Sequence, residues 1–270
     1  MKRICTLLFI LVMLFVVVGS AQSVGGQRAL QPNGSQQVYD RFDGKWLDTA
    51  KWLPDTPTCY SSLECVREIQ NGQLRLAVRN LGGTDSDSGL LWGGPILWFQ
   101  NPDAITSIQA DITVRSFSGT ACLTNNELAS GQAQIGGTFF NVGTGDPGDD
   151  VFAILYTYID TSAPTTITVS AWYGWNGQSL WKAVAQYPIG TALTGIFKWN
   201  KSNHQFIAGV KVKGEPGPFT WAALPYSASD TTPPVYPDKR LVGVAFSPNC
   251  TSGKTNAQFE ARFDNVSINR

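Results

Sequence analysis

The chain has 270 residues, with 20 Lys and Arg set against 20 Asp and Glu for a formal net charge of zero. That balance leaves no large field to steer nucleic acid or an anionic membrane surface. Only 15 % of the residues are charged, and Gly, Ser, Thr, Asn and aromatic residues make up the difference, which suits an exported β domain and not a helical cytosolic enzyme.

Lys2 and Arg3 precede an almost unbroken apolar run over residues 7–18, and Gly19-Ser20-Ala21 follows with small side chains. This is the layout of a secretory signal peptide over residues 1–21. The run is short for a membrane span, which favours a cleaved signal over a retained anchor, and no later stretch reaches the ~20 apolar residues a span needs, so no membrane span is expected after cleavage. Residues 22–37 carry Gly, Ser, Gln and Asn without periodicity and read as a flexible leader. The rest, residues 38–270, reads as one domain. The Pro-rich stretch 227–237 is a long loop within it, because strand patterns lie on both sides. The expected location is extracellular, with periplasm or cell surface also compatible, and the expected state is a monomer.

Strand signals recur along the whole domain. Residues 73–79 alternate with period two after Asn71-Gly72, and residues 108–115 alternate over a full strand. Residues 134–141 and 151–158 flank the turn-rich Gly143-Thr-Gly-Asp146-Pro-Gly-Asp149-Asp150. Residues 166–173 meet residues 180–185 across Trp175-Asn176-Gly177-Gln178, and Asn-Gly between alternating runs is a strong hairpin signal. Residues 195–199 and 205–212 pair around Asn200 to Asn203, and residues 241–246 and 259–268 complete the series. No helical period persists beyond two turns and no internal repeat is present, so the pattern predicts an antiparallel sandwich or barrel.

Removing the signal leaves Cys59, Cys65, Cys122 and Cys250. An even set in an exported chain predicts two disulfides, for which three connectivities exist. Cys59 and Cys65 bracket the turn-rich Tyr60-Ser61-Ser62, favouring a local loop and leaving Cys122 to Cys250 as a long-range staple.

The opening Asp40-Arg-Phe42-Asp43-Gly-Lys-Trp46-Leu47-Asp48 with Lys51-Trp52, together with the closing Phe259-Glu-Ala-Arg-Phe263-Asp264-Asn265-Val266, resembles secreted proteins of the concanavalin A-like lectin/glucanase superfamily. The resemblance covers nearly all of the mature chain. It implies an all-β fold, an antiparallel two-sheet jelly-roll sandwich in which first and last strands meet. It also implies that glycan binds on a concave sheet face. Sugar rings present apolar C–H faces, so aromatic platforms with amide and carboxylate partners are the natural counterpart. Trp175, at a hairpin turn, is the first candidate platform, with Trp172, Trp181 and Tyr158 as further ligand-binding candidates. Trp172 and Tyr173 are adjacent on a strand and cannot both line one groove. In family 16 glycoside hydrolases of this group, the terminal-strand aspartate often holds a structural calcium with a backbone carbonyl. The resemblance places that pair at Asp264 and Gly72, with a hydrogen-bonded carboxylate as the competing reading.

Those hydrolases carry Glu-x-Asp-x-x-Glu on one strand, which brings two acids to within ~5 Å. None of the five glutamates here (Glu64, Glu68, Glu127, Glu215 and Glu260) reproduces that signature. His204 is the only histidine and sits in a turn, which also removes Ser-His-Asp and Cys-His schemes. Asp146, Asp149 and Asp150 read as turn formers before they read as metal ligands. No catalytic residue is assigned. The sequence therefore reads as a secreted, non-catalytic, glycan-binding jelly roll. The alternatives are a polysaccharide hydrolase or lyase with an unrecognised acid pair, and a structural cell-surface domain without a small ligand.

Overall fold

The computed structural model describes residues 36–53, 59, 63–81, 92–122, 126–248, 250 and 255–269. The signal peptide and nearly all of the leader lie outside them. Fifteen strands follow one another: β1 (Gln37–Asp40), β2 (Leu63–Gln70), β3 (Gln73–Asn80), β4 (Trp92–Gly93), β5 (Ile96–Trp98), β6 (Ser107–Gly119), β7 (Ser130–Asn141), β8 (Asp150–Asp160), β9 (Thr166–Trp175), β10 (Gln178–Pro188), β11 (Ala192–Asn200), β12 (Gln205–Val212), β13 (Thr220–Pro225), β14 (Lys239–Phe246) and β15 (Ala257–Asn269). Among the described residues the only helical pieces are single 3-10 turns at Pro102–Ala104, Pro147–Asp149 and Lys201–Asn203.

The strands form two antiparallel sheets. The first runs β13-β12-β11-β6-β15-β3-β2, with β1 also paired to β15, and the second runs β10-β9-β8-β7-β14-β4, with β5 also paired to β14. This is the antiparallel sandwich that the period-two pattern predicts, in the all-β two-sheet jelly-roll form that the resemblance implies. The closing strand β15 pairs with both β1 and β3, so the two ends of the domain meet. The Asn-Gly turns behave as expected. Asn71 and Gly72 take φ of 54° and 70°, and Asn176 and Gly177 take 36° and 77°, the left-handed pairs that two-residue hairpins require.

Alternation divides each strand between an inner and an outer face. Ile108, Ala110, Ile112 and Val114 of β6 and Phe259, Ala261 and Phe263 of β15 point inward against Val151, Ala153 and Leu155 of β8 and Ile167, Val169 and Ala171 of β9. In the β11–β12 hairpin the inward side chains are Phe197, Phe206, Ala208 and Val210, whereas Ile196 and Ile207 are buried outside the main core. Gly209 makes this possible, because the Trp221 ring lies where its Cβ would be.

The opening motif is a structural knot. Asp40 accepts the Trp52 indole N–H at 2.7 Å and the Phe42 amide at 2.9 Å, while Phe42 stacks on Trp52 at 5.7 Å. Both expected disulfides are formed. Cys59–Cys65 closes a local loop with a Cα separation of 6.1 Å, and Cys122–Cys250 joins residues 128 apart at 5.4 Å.

Candidate functional site

The outer face of the second sheet carries a continuous row of side chains that the register defines strand by strand. Trp181 of β10 is opposite Trp172 of β9, Trp172 opposite Ile154 of β8, and Ile154 opposite Gly136 of β7. Gly136 in turn is opposite Arg240 of β14, and Arg240 opposite Trp98 of β5. The row thus crosses six strands, with tryptophans at both ends and no side chain at Gly136. Strands lie ~4.8 Å apart, so it spans about 24 Å, the length of several sugar rings.

The neighbouring rows on the same face are rich in amides and hydroxyls. Ser170, Tyr156 and Gln134 follow one another across β9, β8 and β7, and Thr168, Tyr158 and Gln132 form the next line. Gln134 donates to Gln132 at 2.9 Å, and Gln186 of β10 donates to Thr168 at 3.3 Å. The Tyr156 oxygen lies in reach of the Trp181 indole N–H and the Ser170 hydroxyl. Tyr158 faces Asp160 and Ser130. Burial raises both phenols above their ordinary range, and the Asp160 charge adds to the rise at Tyr158. Both therefore stay as neutral donors at physiological pH. Further along the face, Ile96, Val242 and Val244 point away from the main core yet are buried with Trp98 as a small separate cluster.

Among the described residues, carboxylates sit only at the margin of this face. Asp160 accepts the amides of Ser162 and Ala163. Asp150 accepts two consecutive amides, Val235 and Tyr236, both at 2.8 Å, and the Asn141 side chain at 2.9 Å. This fork pins the Pro-rich loop to the start of β8 and leaves Tyr236 68 % exposed beside the face. Asp238 accepts the Thr138 amide at 3.2 Å, and burial raises its carboxyl above the usual range.

Of the ligand-binding residues predicted from sequence, Trp172, Trp181 and Tyr158 come together here. Trp175 does not. It shares the inner parity of Tyr173, stacks on that ring at 5.7 Å and packs against the core. The hairpin is tight enough that alternation continues to its last residue, so burial overrides the expectation that a turn-side tryptophan faces solvent. Gln132, Gln134, Phe152 and Arg240 were not anticipated, although the alternation of Leu241-Val-Gly-Val already places Arg240 outward.

The remaining candidates lie on the first sheet. Asp264 meets the Lys213 ammonium at 3.3 Å, and the same ammonium meets Asp111 at 2.9 Å. Asp111 also accepts from Thr194 at 2.6 Å and Asn265 at 2.7 Å. Gly72 is in the β2–β3 turn. Among the described residues no group of three or more His, Cys, Asp or Glu side chains is arranged to hold a metal. Glu260 pairs with Arg75 at 3.0 Å and Arg262 at 3.3 Å. His204 meets the buried Asp230 at 3.2 Å, and Asp230 accepts from Tyr226, whose hydroxyl in turn receives the Trp199 indole. Each of these charges already has its partner.

No family model matches the chain, and no curated protein matches it in sequence. Solved structures that align with it include porphyranase B from Zobellia galactanivorans, at 11 % identity over 87 % of this chain and 95 % of that one, with a TM-score of 0.44. The CBM2 module of the evolved Dit of Lactobacillus casei BL23 phage J-1 aligns at 11 % identity over 87 % and 97 %, with a TM-score of 0.42. The endo-1,3-beta-glucanase from Streptomyces sioyaensis aligns at 14 % identity over 93 % and 100 %, with a TM-score of 0.41. These likenesses are distant, and the sheet order of the chain itself defines its fold. Among the described residues no helix is long and apolar enough to cross a membrane.

Proposed function

We propose that this is an exported, non-catalytic glycan-binding domain that acts as a monomer, and that the outer face of the second sheet is its binding surface. The observation that carries the reading is the composition of that face. Trp181 and Trp172 stand in one cross-strand row beside Tyr156, Tyr158, Gln132 and Gln134, the combination of ring platforms and neutral hydrogen-bonding groups that sugar rings call for. The two disulfides support the exported part of the reading, since such bonds persist in oxidising compartments.

The non-catalytic part rests on the central rows. A retaining glycosidase needs two carboxyl groups ~5 Å apart, and an inverting one needs them at roughly 6.5–9.5 Å. On β7, β8 and β9 the corresponding outward positions hold Gln132, Gln134, Tyr156, Tyr158, Thr168 and Ser170. The acids at the margin, Asp238 among them, accept hydrogen bonds from backbone amides.

Affinity gel electrophoresis of the purified mature domain against a panel of soluble polysaccharides, with reducing-end and unsaturated-product assays on the same polymers, tests both halves. Retardation by at least one polymer without turnover is expected. Reproducible cleavage that is lost in a carboxylate variant of unchanged fold would overturn the non-catalytic reading, and no retardation by any polymer would overturn the binding reading.

A further inference from the structure

Among the described residues Arg240 is the cation of this face, and its surroundings are unusual. The guanidinium stands against two rings, 5.1 Å from the centroid of Trp98 and 4.4 Å from that of Phe152. Its only charged neighbour among the described residues is Asp238, at 3.7 Å, which is longer than a hydrogen bond. No hydrogen bond satisfies any of its five N–H groups among the described residues, and Nε is buried without a partner. Yet the side chain keeps 21 % of its surface open, so the outer nitrogens remain within reach of a ligand. A desolvated, unfilled guanidinium fork is costly to hold, because burying donors without acceptors is penalised in full.

The balance of charge on the face is asymmetric. Asp160 and Asp150 accept hydrogen bonds from backbone amides, whereas Arg240 has only the 3.7 Å ion pair with Asp238 and no hydrogen-bonded acceptor among the described residues. The guanidinium also sits next to Gly136, where the aromatic row has no side chain. A polymer lying along the row would therefore bring a substituent onto the fork. Arginine suits this role because its planar donors pair two at a time with an oxyanion.

From this arrangement, and resting on the glycan reading above, we infer that the polymer taken by this face is acidic and that an oxyanion on it, a uronate carboxylate or a sulfate ester, docks on Arg240 between Trp98 and Phe152. The rings exclude water from the contact and the Trp172 and Trp181 platforms carry the flanking sugars.

The test compares polymers that differ only at the charge. Wild-type domain is run in affinity electrophoresis against polygalacturonate and its methyl ester, against a sulfated galactan and its desulfated form, and against a neutral β-1,3-glucan. One charged polymer should bind at least tenfold more tightly than its masked form, and which of the two does so separates carboxylate from sulfate. In Arg240→Gln the ratio of charged to masked binding should fall towards one, while Arg240→Lys, which keeps charge but not the planar fork, should keep only part of it. The ligand-side comparison needs no variant, so it decides the matter even if Arg240→Gln fails to fold. Equal binding of charged and masked forms by the wild type would overturn the inference and leave the glycan reading standing. Binding of no polymer would overturn both.

Discussion

Truncating Trp181 and truncating Trp175 should have opposite consequences, and the pair separates a binding platform from a core residue. Trp181 is 53 % exposed on the outer face. For a side chain of about 250 Å², that leaves about 130 Å² open to a ligand. A sugar ring covering about half of it removes about 65 Å² from water, which at about 25 cal/mol per Å² is worth about 1.6 kcal/mol. Trp181→Ala should therefore weaken glycan binding about fifteenfold. Its stability cost should be near 1 kcal/mol, or about 2–4 °C in melting temperature for a domain of this size. Trp175 is half-buried and stacked on Tyr173, so its truncation forfeits core packing. Trp175→Ala should cost about 2–3 kcal/mol, below the range for a fully buried tryptophan, and about 5–10 °C. Its effect on affinity should be small. Affinity electrophoresis gives the first quantity and calorimetric melting the second. Unchanged binding in Trp181→Ala, or lost binding in Trp175→Ala at wild-type stability, would refute the assignment of the two faces.

Lys239 is buried, with its ammonium on the Thr138 carbonyl and 4.2 Å from the Phe139 ring, and burial pushes its pKa down to about 8. The folded state thus holds the proton less tightly than the unfolded chain, so Lys239 penalises stability below pH 8 and the penalty is relieved as pH rises from about 8 to 10.5. The size is on the order of 3 kcal/mol. Lys239→Met should match or exceed wild-type stability at pH 7 and lose that alkaline rise in denaturant titrations at several pH values. The Cys122–Cys250 bridge spans a separation of 128 residues, so replacing both cysteines by serine should cost about 5 kcal/mol on the chain-entropy account, against about 2 kcal/mol for Cys59–Cys65, as read by urea unfolding. Calcium at Asp264 with the Gly72 carbonyl is a separate proposal that requires the ion to displace Lys213. It predicts a melting temperature that rises with calcium and loses the rise in Asp264→Asn, whereas a melting temperature insensitive to calcium and chelator leaves Asp264 to Lys213.

Period-two alternation made most of the sandwich legible. It placed Trp172 and Tyr173 on opposite faces, whereas the meeting of the first and last strands was legible only through the family resemblance. The inward placement of Trp175 follows the same period-two rule, which the hairpin carries to its last residue. Other features lie beyond any local pattern. The irregularity between Thr138 and Phe140 on β7 lets Phe139 and Phe140 both enter the core, and a bulge position depends on partners far along the chain. Arg240 has the sequence appearance of an ordinary charged residue at a strand start. Its meaning arises only when five successive registers, from β10 to β5, bring Trp181, Trp172, Gly136 and Trp98 into line with it.

The two outer faces show how a fold assigns its chemistry. On the first sheet, charges close on one another. Arg75 bridges Glu68 and Glu260, Arg79 pairs with Glu64, and Lys213 joins Asp111 and Asp264, which the register sets directly opposite each other. Like charges so placed repel, and the ammonium between them turns that pair into a link between β6, β15 and the end of β12. A surface built this way largely neutralises its own charges. On the second sheet, phenols are held neutral, amides bond sideways to one another, Trp181 stands open, and among the described residues one guanidinium has no hydrogen-bonded acceptor. Folding alone explains the first arrangement. The second leaves polar desolvation uncompensated within the described residues, and a bound polymer that fills the row and meets Arg240 would compensate it.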